Sequence, residues 1–82
     1  MGKVWLVTGA SRGLGSEIAR AALDAGETVV ATARSADAVH DAFGGEHDRL
    51  HALALDITDA EAANAVAAET AERFGAIDVL VN

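Results

Sequence analysis

The sequence predicts an α/β chain, the N-terminal half of a doubly wound parallel sheet with strands in spatial order 3-2-1-4. Three observations predict it. Apolar residues alternate between short β-rich runs and stretches of helical spacing along all 82 residues. A glycine-rich turn joins the first such run to the first helical stretch. The signals then follow one another as β-α-β-α-β-α-β, with no proline, repeat or linker between them; right-handed crossovers turn that order into half of a doubly wound sheet.

Each element has its own warrant. Residues 3–8 are β-rich, and residues 15–25 carry helical spacing through Ile18, Ala22 and Ala25. Residues 27–33 are again strand-like, which completes a βαβ unit. Ser35 is a suitable N-cap for a helix running to Phe43, and Gly44 and Gly45 stop it. Residues 50–55 make a third strand. Thr58 and Glu61 have capping-box spacing ahead of a helix whose Ala63, Val66, Ala67, Thr70 and Phe74 share one face, and Gly75 ends it. The apolar run 77–81 has the look of a parallel strand buried on both faces.

Composition narrows the function. A chain this short builds one small core and buries only about 60% of its unfolded surface. No apolar run approaches the roughly 18 residues needed to cross a bilayer, so no membrane span is expected. Met1 and Gly2 lead almost directly into residues 4–7, leaving no room for a signal peptide. There is no cysteine, which suits a reducing, cytoplasmic setting. A net charge of −7 with six basic residues argues against nucleic-acid partners, which demand a basic surface. Two of those six, Arg12 and Arg34, stand where a local field matters more than the total.

The loop Thr8-Gly9-Ala10-Ser11-Arg12-Gly13-Leu14-Gly15 joins the first strand to the first helix. Gly9 permits the turn off the strand, Gly13 lets backbone approach a pyrophosphate, and Gly15 lets the helix pack closely on the sheet. The helix N-terminus then offers free N–H groups to phosphate. The bland alternative is a glycine turn that binds nothing, but the strand, helix and βαβ context favour a dinucleotide site. A P-loop is excluded because no Gly-Lys-Ser or Gly-Lys-Thr follows. A methyltransferase-type loop would normally carry an acid near the end of the first strand, where Thr8 stands.

On these residues the chain resembles the short-chain dehydrogenase/reductase family, whose Rossmann-type cofactor signature is T-G-x-x-x-G-x-G. Asp56, in Leu55-Asp56-Ile57-Thr58, and the segment Asp78-Val79-Leu80-Val81-Asn82 match two further family motifs in order. The resemblance spans the whole chain and implies one partial NAD(P)-binding domain, residues 1–82. It also implies that Gly9, Ser11, Arg12, Gly13, Leu14 and Gly15 cradle the cofactor, that Asp56 accepts from the adenine amino group beside the Ile57 backbone, and that Asn82 lies near the ribose. Asp56 has a structural alternative as a turn residue leading to Thr58.

Cofactor choice turns on the end of the second strand. A site selecting NAD normally carries Asp or Glu there to bind the ribose 2′-hydroxyl. Ala33 stands there instead, followed by Arg34, whose planar donors suit a 2′-phosphate. Arg12 is the second candidate. In the family, basic residues at these positions go with NADP, so NADP is expected over NAD. The alternative for Arg34 is a solvated loop residue. Asp37 is expected to cap its helix, with a reach to the ribose as the other option.

The resemblance implies hydride transfer between NADP(H) and a carbonyl or alcohol substrate, using a Tyr-x-x-x-Lys pair and a serine. The chain has no tyrosine, and its only lysine is Lys3. These 82 residues are therefore expected to be a fragment that is inactive alone, with substrate bound only in a full-length protein of the usually homo-oligomeric family. The alternatives are a dinucleotide-binding module without catalysis or a non-functional truncated product. Other chemistry is not expected. His47 and His51 lack the glutamate of a zinc motif, Ser11 has no nearby base, and Trp5 and Phe74 read as packing residues. As half a fold, the chain should leave its fourth strand as an open edge and be marginally stable or partly molten.

Overall fold

The computed structural model describes residues 2–11, 13–45, 47–56 and 58–81. Seven elements follow in the expected order: β1 (Val4–Val7), α1 (Gly13–Asp24), β2 (Thr28–Ala33), α2 (Ala36–Ala42), β3 (Leu50–Ala54), α3 (Ala60–Phe74) and β4 (Val79–Val81). The four strands are parallel and ordered β3-β2-β1-β4. Register aligns Trp5 with both Val29 and Val79, and Ala31 with Ala52.

Alternation along the strands divides the sheet into two faces. Val7, Val29, Ala31, Ala33 and Leu50 point to one, where Ala19, Ala22 and Leu23 of α1 and Val39 of α2 complete the buried core. On the opposite face α3 brings Thr70 and Phe74 against Val30, His51 and Leu53. The His51 and Phe74 rings lie 4.9 Å apart. One helix thus serves a face that two helices serve on the other side.

Helix ends follow local chemistry. Ser35 caps α2 by accepting the Ala38 N–H at 3.1 Å. Asp37 lies in the first turn and favours the helix dipole without being the cap. After α2 the Gly45 N–H returns to the His40 carbonyl at 2.8 Å, with Gly44 at φ 77° making the left-handed turn this closure requires. Arginine closes two helices. Arg49 donates to the Leu23 carbonyl at 2.9 Å and Arg20 to the Ala42 carbonyl at 2.7 Å.

Four readings need correction. The cap of α3 is Asp59, which accepts the Ala62 N–H at 3.1 Å, so Thr58 and Glu61 do not form a capping box. Thr58 is diverted because its hydroxyl donates to Asp56. Helix α1 starts at Gly13, two residues before the expected start. A Cβ on Gly15 would lie 2.6 Å from the Gly9 carbonyl oxygen, so its close approach is to the glycine loop and not to the sheet. Finally, β4 is shorter than residues 77–81 and is not buried on both faces, since Leu80 is 56% exposed. It pairs only with β1, and its start is fixed by Asp78, whose N–H donates to the Val4 carbonyl while its carboxylate accepts the Val4 N–H.

Candidate functional site

The three segments singled out for chemistry all leave the C-terminal ends of parallel strands, the edge at which such sheets bind ligands. The loop after β1 is pinned on both sides. Thr8 donates its N–H (2.9 Å) and its hydroxyl (3.2 Å) to the Val81 carbonyl at the end of β4. Two residues on, the Ala10 N–H donates to the Thr32 carbonyl of β2 at 2.9 Å. The loop therefore crosses the sheet edge held at both strands that flank β1. Gly9 and Gly13 have φ of 65° and 66°, which side-chain-bearing residues rarely adopt, and a Cβ at either would meet nothing within 4 Å. What these positions need is backbone conformation, whereas Gly15 needs space.

A groove of about 550 Å³ opens beside this loop, lined by Gly9, Ser11, Ala33, Arg34, Ala38, Leu55, Asp56 and Thr58. The fold thus brings together Gly9 and Ser11 from the first loop, Arg34 from the second and Asp56 from the third. Gly13, Leu14 and Gly15 lie in the first turn of α1 and do not line the groove; Leu14 is 70% exposed. Arg12, Ile57 and Asn82, also singled out in the sequence, lie outside the described residues. Ala38, Leu55 and Thr58 form walls that the sequence reading missed. Ala38 follows from α2 crossing the end of β2, a contact no local pattern reports, and Leu55 is held inward because its N–H donates to the Ala33 carbonyl at 2.7 Å.

Charge in the groove is arranged by short-range contacts. Asp56 accepts the Thr58 hydroxyl at 2.6 Å and the Thr58 N–H at 2.9 Å, both on Oδ1. Those two bonds, the hydroxyl first, hold its carboxyl below the ordinary aspartate range, and the nearby Arg34 guanidinium adds to the effect. Arg34 is exposed, and among the described residues its side chain makes no hydrogen bond. Arg20 and Arg49 are committed to helix carbonyls, and Arg73 stands over the Phe74 ring at 5.3 Å. Arg34 thus stands exposed in the groove wall, next to the uncharged Ala33 at the strand end.

Helix α1 differs from its neighbours at its N-terminus. Ser35 with Asp37 serves α2, and Asp59 with Glu61 serves α3. The first turn of α1 holds no acidic side chain. A phosphate group fits that end electrostatically. His47 and His51 make separate contacts. His47 Nδ1 accepts the Arg49 N–H at 3.1 Å, whereas His51 packs on Phe74 under α3. Among the described residues no helix is long and apolar enough to cross a membrane.

A glycine loop on the edge of a parallel sheet ordered β3-β2-β1-β4 defines the first half of a Rossmann-type nucleotide fold. The chain belongs to the short chain dehydrogenase family, which matches residues 3–82. It is 44% identical over 85 residues to the oxidoreductase BOA17 of Botryotinia fuckeliana, covering 100% of this chain and 30% of that protein. Among solved structures, a short-chain dehydrogenase from Streptomyces avermitilis superposes with a TM-score of 0.92 at 51% identity, covering 100% of this chain and 30% of that one. A metagenomic short-chain oxidoreductase in complex with NADP superposes with a TM-score of 0.82 at 36% identity, covering 96% of this chain and 37% of that one. The chain therefore spans about a third of the length of these relatives.

Proposed function

We propose that these 82 residues form the cofactor-binding part of an NADP-dependent short-chain oxidoreductase, which transfers hydride between NADP(H) and a carbonyl or alcohol substrate. One observation carries the cofactor choice: Ala33 and Arg34 stand side by side in the groove wall, at the position where an NAD-selecting site carries an acid. Gly9, Ser11, Gly13, Leu14 and Gly15, with Arg12 between them, would hold the pyrophosphate at the α1 N-terminus. Arg34 would take the 2′-phosphate. Asp56 and Ile57 would frame the adenine, and Asn82 would approach the ribose. A family neighbour whose structure contains NADP supports the reading. Bound there, the nicotinamide supplies or accepts the hydride, and this chain's residues bind and orient the dinucleotide.

Turnover is a separate matter. The 82 residues contain no tyrosine, and Lys3 precedes β1 at the far end of the sheet from the groove, so no Tyr-x-x-x-Lys pair is present. We assign binding without catalysis to this chain taken alone, and catalysis, substrate choice and homo-oligomerisation to a longer protein in a cytoplasmic setting. The test is a pair of measurements on the 82-residue chain: calorimetric titration with NADPH, and NADPH oxidation in the presence of a panel of ketones and aldehydes. Saturable binding with no oxidation is expected. Failure to bind by a chain that near-ultraviolet circular dichroism shows to be folded would overturn the cofactor reading, and oxidation at enzymatic rates would overturn the division of labour.

A further inference from the structure

Helix α3 is held to the sheet more thinly than α1. Among the described residues Thr70 is its one buried side chain, whereas α1 buries Ala19, Ala22 and Leu23. The Thr70 hydroxyl is spent within the helix, donating to the Val66 carbonyl at 2.7 Å. At the C-terminal end the one aromatic side chain of α3, Phe74, lies against His51 of β3, the two rings 4.9 Å apart and inclined at 52°. Arg73 reaches the same Phe74 ring, its guanidinium carbon 5.3 Å from the centroid. Around His51 a cavity of about 20 Å³ is walled by Val30 of β2, Leu53 of β3 and, from α3, Glu69, Thr70, Arg73 and Phe74.

Histidine is the side chain whose ordinary titration falls near neutral pH, and His51 stands where a charge is poorly accommodated. It is half-buried. On its covered side there is space for about one water molecule, too little to hydrate an ion, and the Val30, Leu53 and Phe74 side chains offer no acceptor. To this cavity β2 brings no titratable group, β3 brings only His51, and α3 brings Glu69 and Arg73. Burial first, and then the charge of Arg73, hold the imidazole below its ordinary range. We propose that His51 is a proton-operated latch on α3: a proton taken up by its imidazole sets a second cation beside the Phe74 ring, next to Arg73, and releases residues 66–74 from the sheet while α1 and α2 stay docked on the other face. The thin packing of α3 makes this opening local, because segments with few buried apolar contacts open at less than the global free energy. The latch sits on the segment between the groove wall at Asp56 and Thr58 and strand β4, whose Val81 carbonyl holds Thr8. It does not depend on which dinucleotide the groove takes.

Amide hydrogen exchange on the purified protein reads the opening directly. It is measured at about pH 7.5 and about pH 5, either side of the ordinary histidine value of about 6.5, with the intrinsic pH dependence of exchange divided out. At the higher pH residues 66–74 should be protected, though less than β2. At the lower pH they should lose further protection. That loss should vanish in both His51→Phe and His51→Gln, one filling the ring contact and the other not, and should shrink in Arg73→Gln. His40, in α2, and His47, whose Nδ1 accepts the Arg49 N–H, stand apart from this contact and remain in every variant. A loss that persists in both His51 variants therefore overturns the proposal. Equal protection of residues 66–74 and β2 at both pH values also overturns it, since α3 then leaves only when the whole fold unfolds. Absence of protection in residues 66–74 at the higher pH does the same, because the helix is then never latched. A loss of full size in Arg73→Gln overturns the part given to the second cation.

Discussion

Gly15→Ala isolates the one glycine in the loop that is needed for space. The added Cβ would lie 2.6 Å from the Gly9 carbonyl oxygen, 3.3 Å from its carbon and 3.5 Å from the Ala10 Cα. All three are backbone atoms, so no side chain can rotate away. Either α1 lifts off the loop or the loop moves, and Thr8 and Ala10 tether the loop to β4 and β2. Alanine is the better helix former by up to about 1 kcal/mol in a helix interior, and less is gained in a first turn. Overpacking typically costs about 1–3 kcal/mol, so a net loss of about 1–2 kcal/mol is expected. Gly9→Ala provides the contrast, since at φ 65° the new Cβ meets nothing and its cost is backbone strain alone. Urea unfolding measures the stability change, and NADPH titration measures the displacement of the phosphate cradle. Gly15→Ala should lose tenfold or more in NADPH affinity, equivalent to about 1.4 kcal/mol. A Gly15→Ala protein as stable as wild type, with NADPH affinity within about twofold, would refute the contact and the role given to it.

Three other perturbations follow from single contacts. Thr32 is fully buried and its hydroxyl has no partner among the described residues, so the isosteric Thr32→Val should raise stability by about 1 kcal/mol in urea unfolding; a loss would show that the hydroxyl is hydrogen-bonded in solution. Glu27 accepts the Lys3 backbone N–H at 3.0 Å and the Trp5 indole N–H at 2.7 Å, which hold its carboxyl below the ordinary range. Its stabilising contribution is therefore complete above the unfolded pKa and is lost as pH falls through the depressed folded value. The fluorescence of Trp5, the only tryptophan, should hold steady at neutral pH and shift only in that acidic window, with the shift absent in Glu27→Gln. For His51, burial under α3 and then the charge of Arg73 push the pKa down. The folded state thus prefers neutral imidazole, and stability should decline as pH drops below about 6.5 toward the depressed value. His51→Phe should flatten that decline in urea midpoints compared at pH 7 and pH 5, and an unchanged slope would contradict it.

The architecture was legible in the sequence because each element repeats its own period and the crossover rule leaves one strand order. The glycine loop was legible because its glycines occur at fixed offsets between a strand and a helix. What escaped was mostly decided across the chain. Nothing near Asp78 signals that its carboxylate accepts the Val4 N–H and sets where β4 begins. Gly15 was correctly marked as a close-packing glycine, but its neighbour is the Gly9 carbonyl, a contact created only when the loop folds back on the helix. Thr58 and Asp59 are adjacent candidates for one cap, and the choice between them is made by Asp56, which draws the Thr58 hydroxyl away. Leu80 sits in an apolar run that reads as buried on both faces, yet it is 56% exposed, because burial of a strand face depends on what packs over it and the run itself carries no signal of that.

The central claim is that the groove accepts a dinucleotide with its 2′-phosphate against Arg34. The most direct test is the ratio of NADPH to NADH dissociation constants for the purified protein and for Arg34→Ala, measured at fixed low ionic strength because Arg34 is exposed and its field is screened by salt. Charge-assisted hydrogen bonds contribute about 1.5–3 kcal/mol, so wild type should favour NADPH and Arg34→Ala should lose roughly ten- to a hundredfold of that preference, leaving NADH binding nearly unchanged. An unaltered ratio in Arg34→Ala, or a wild type that prefers NADH, would contradict the account.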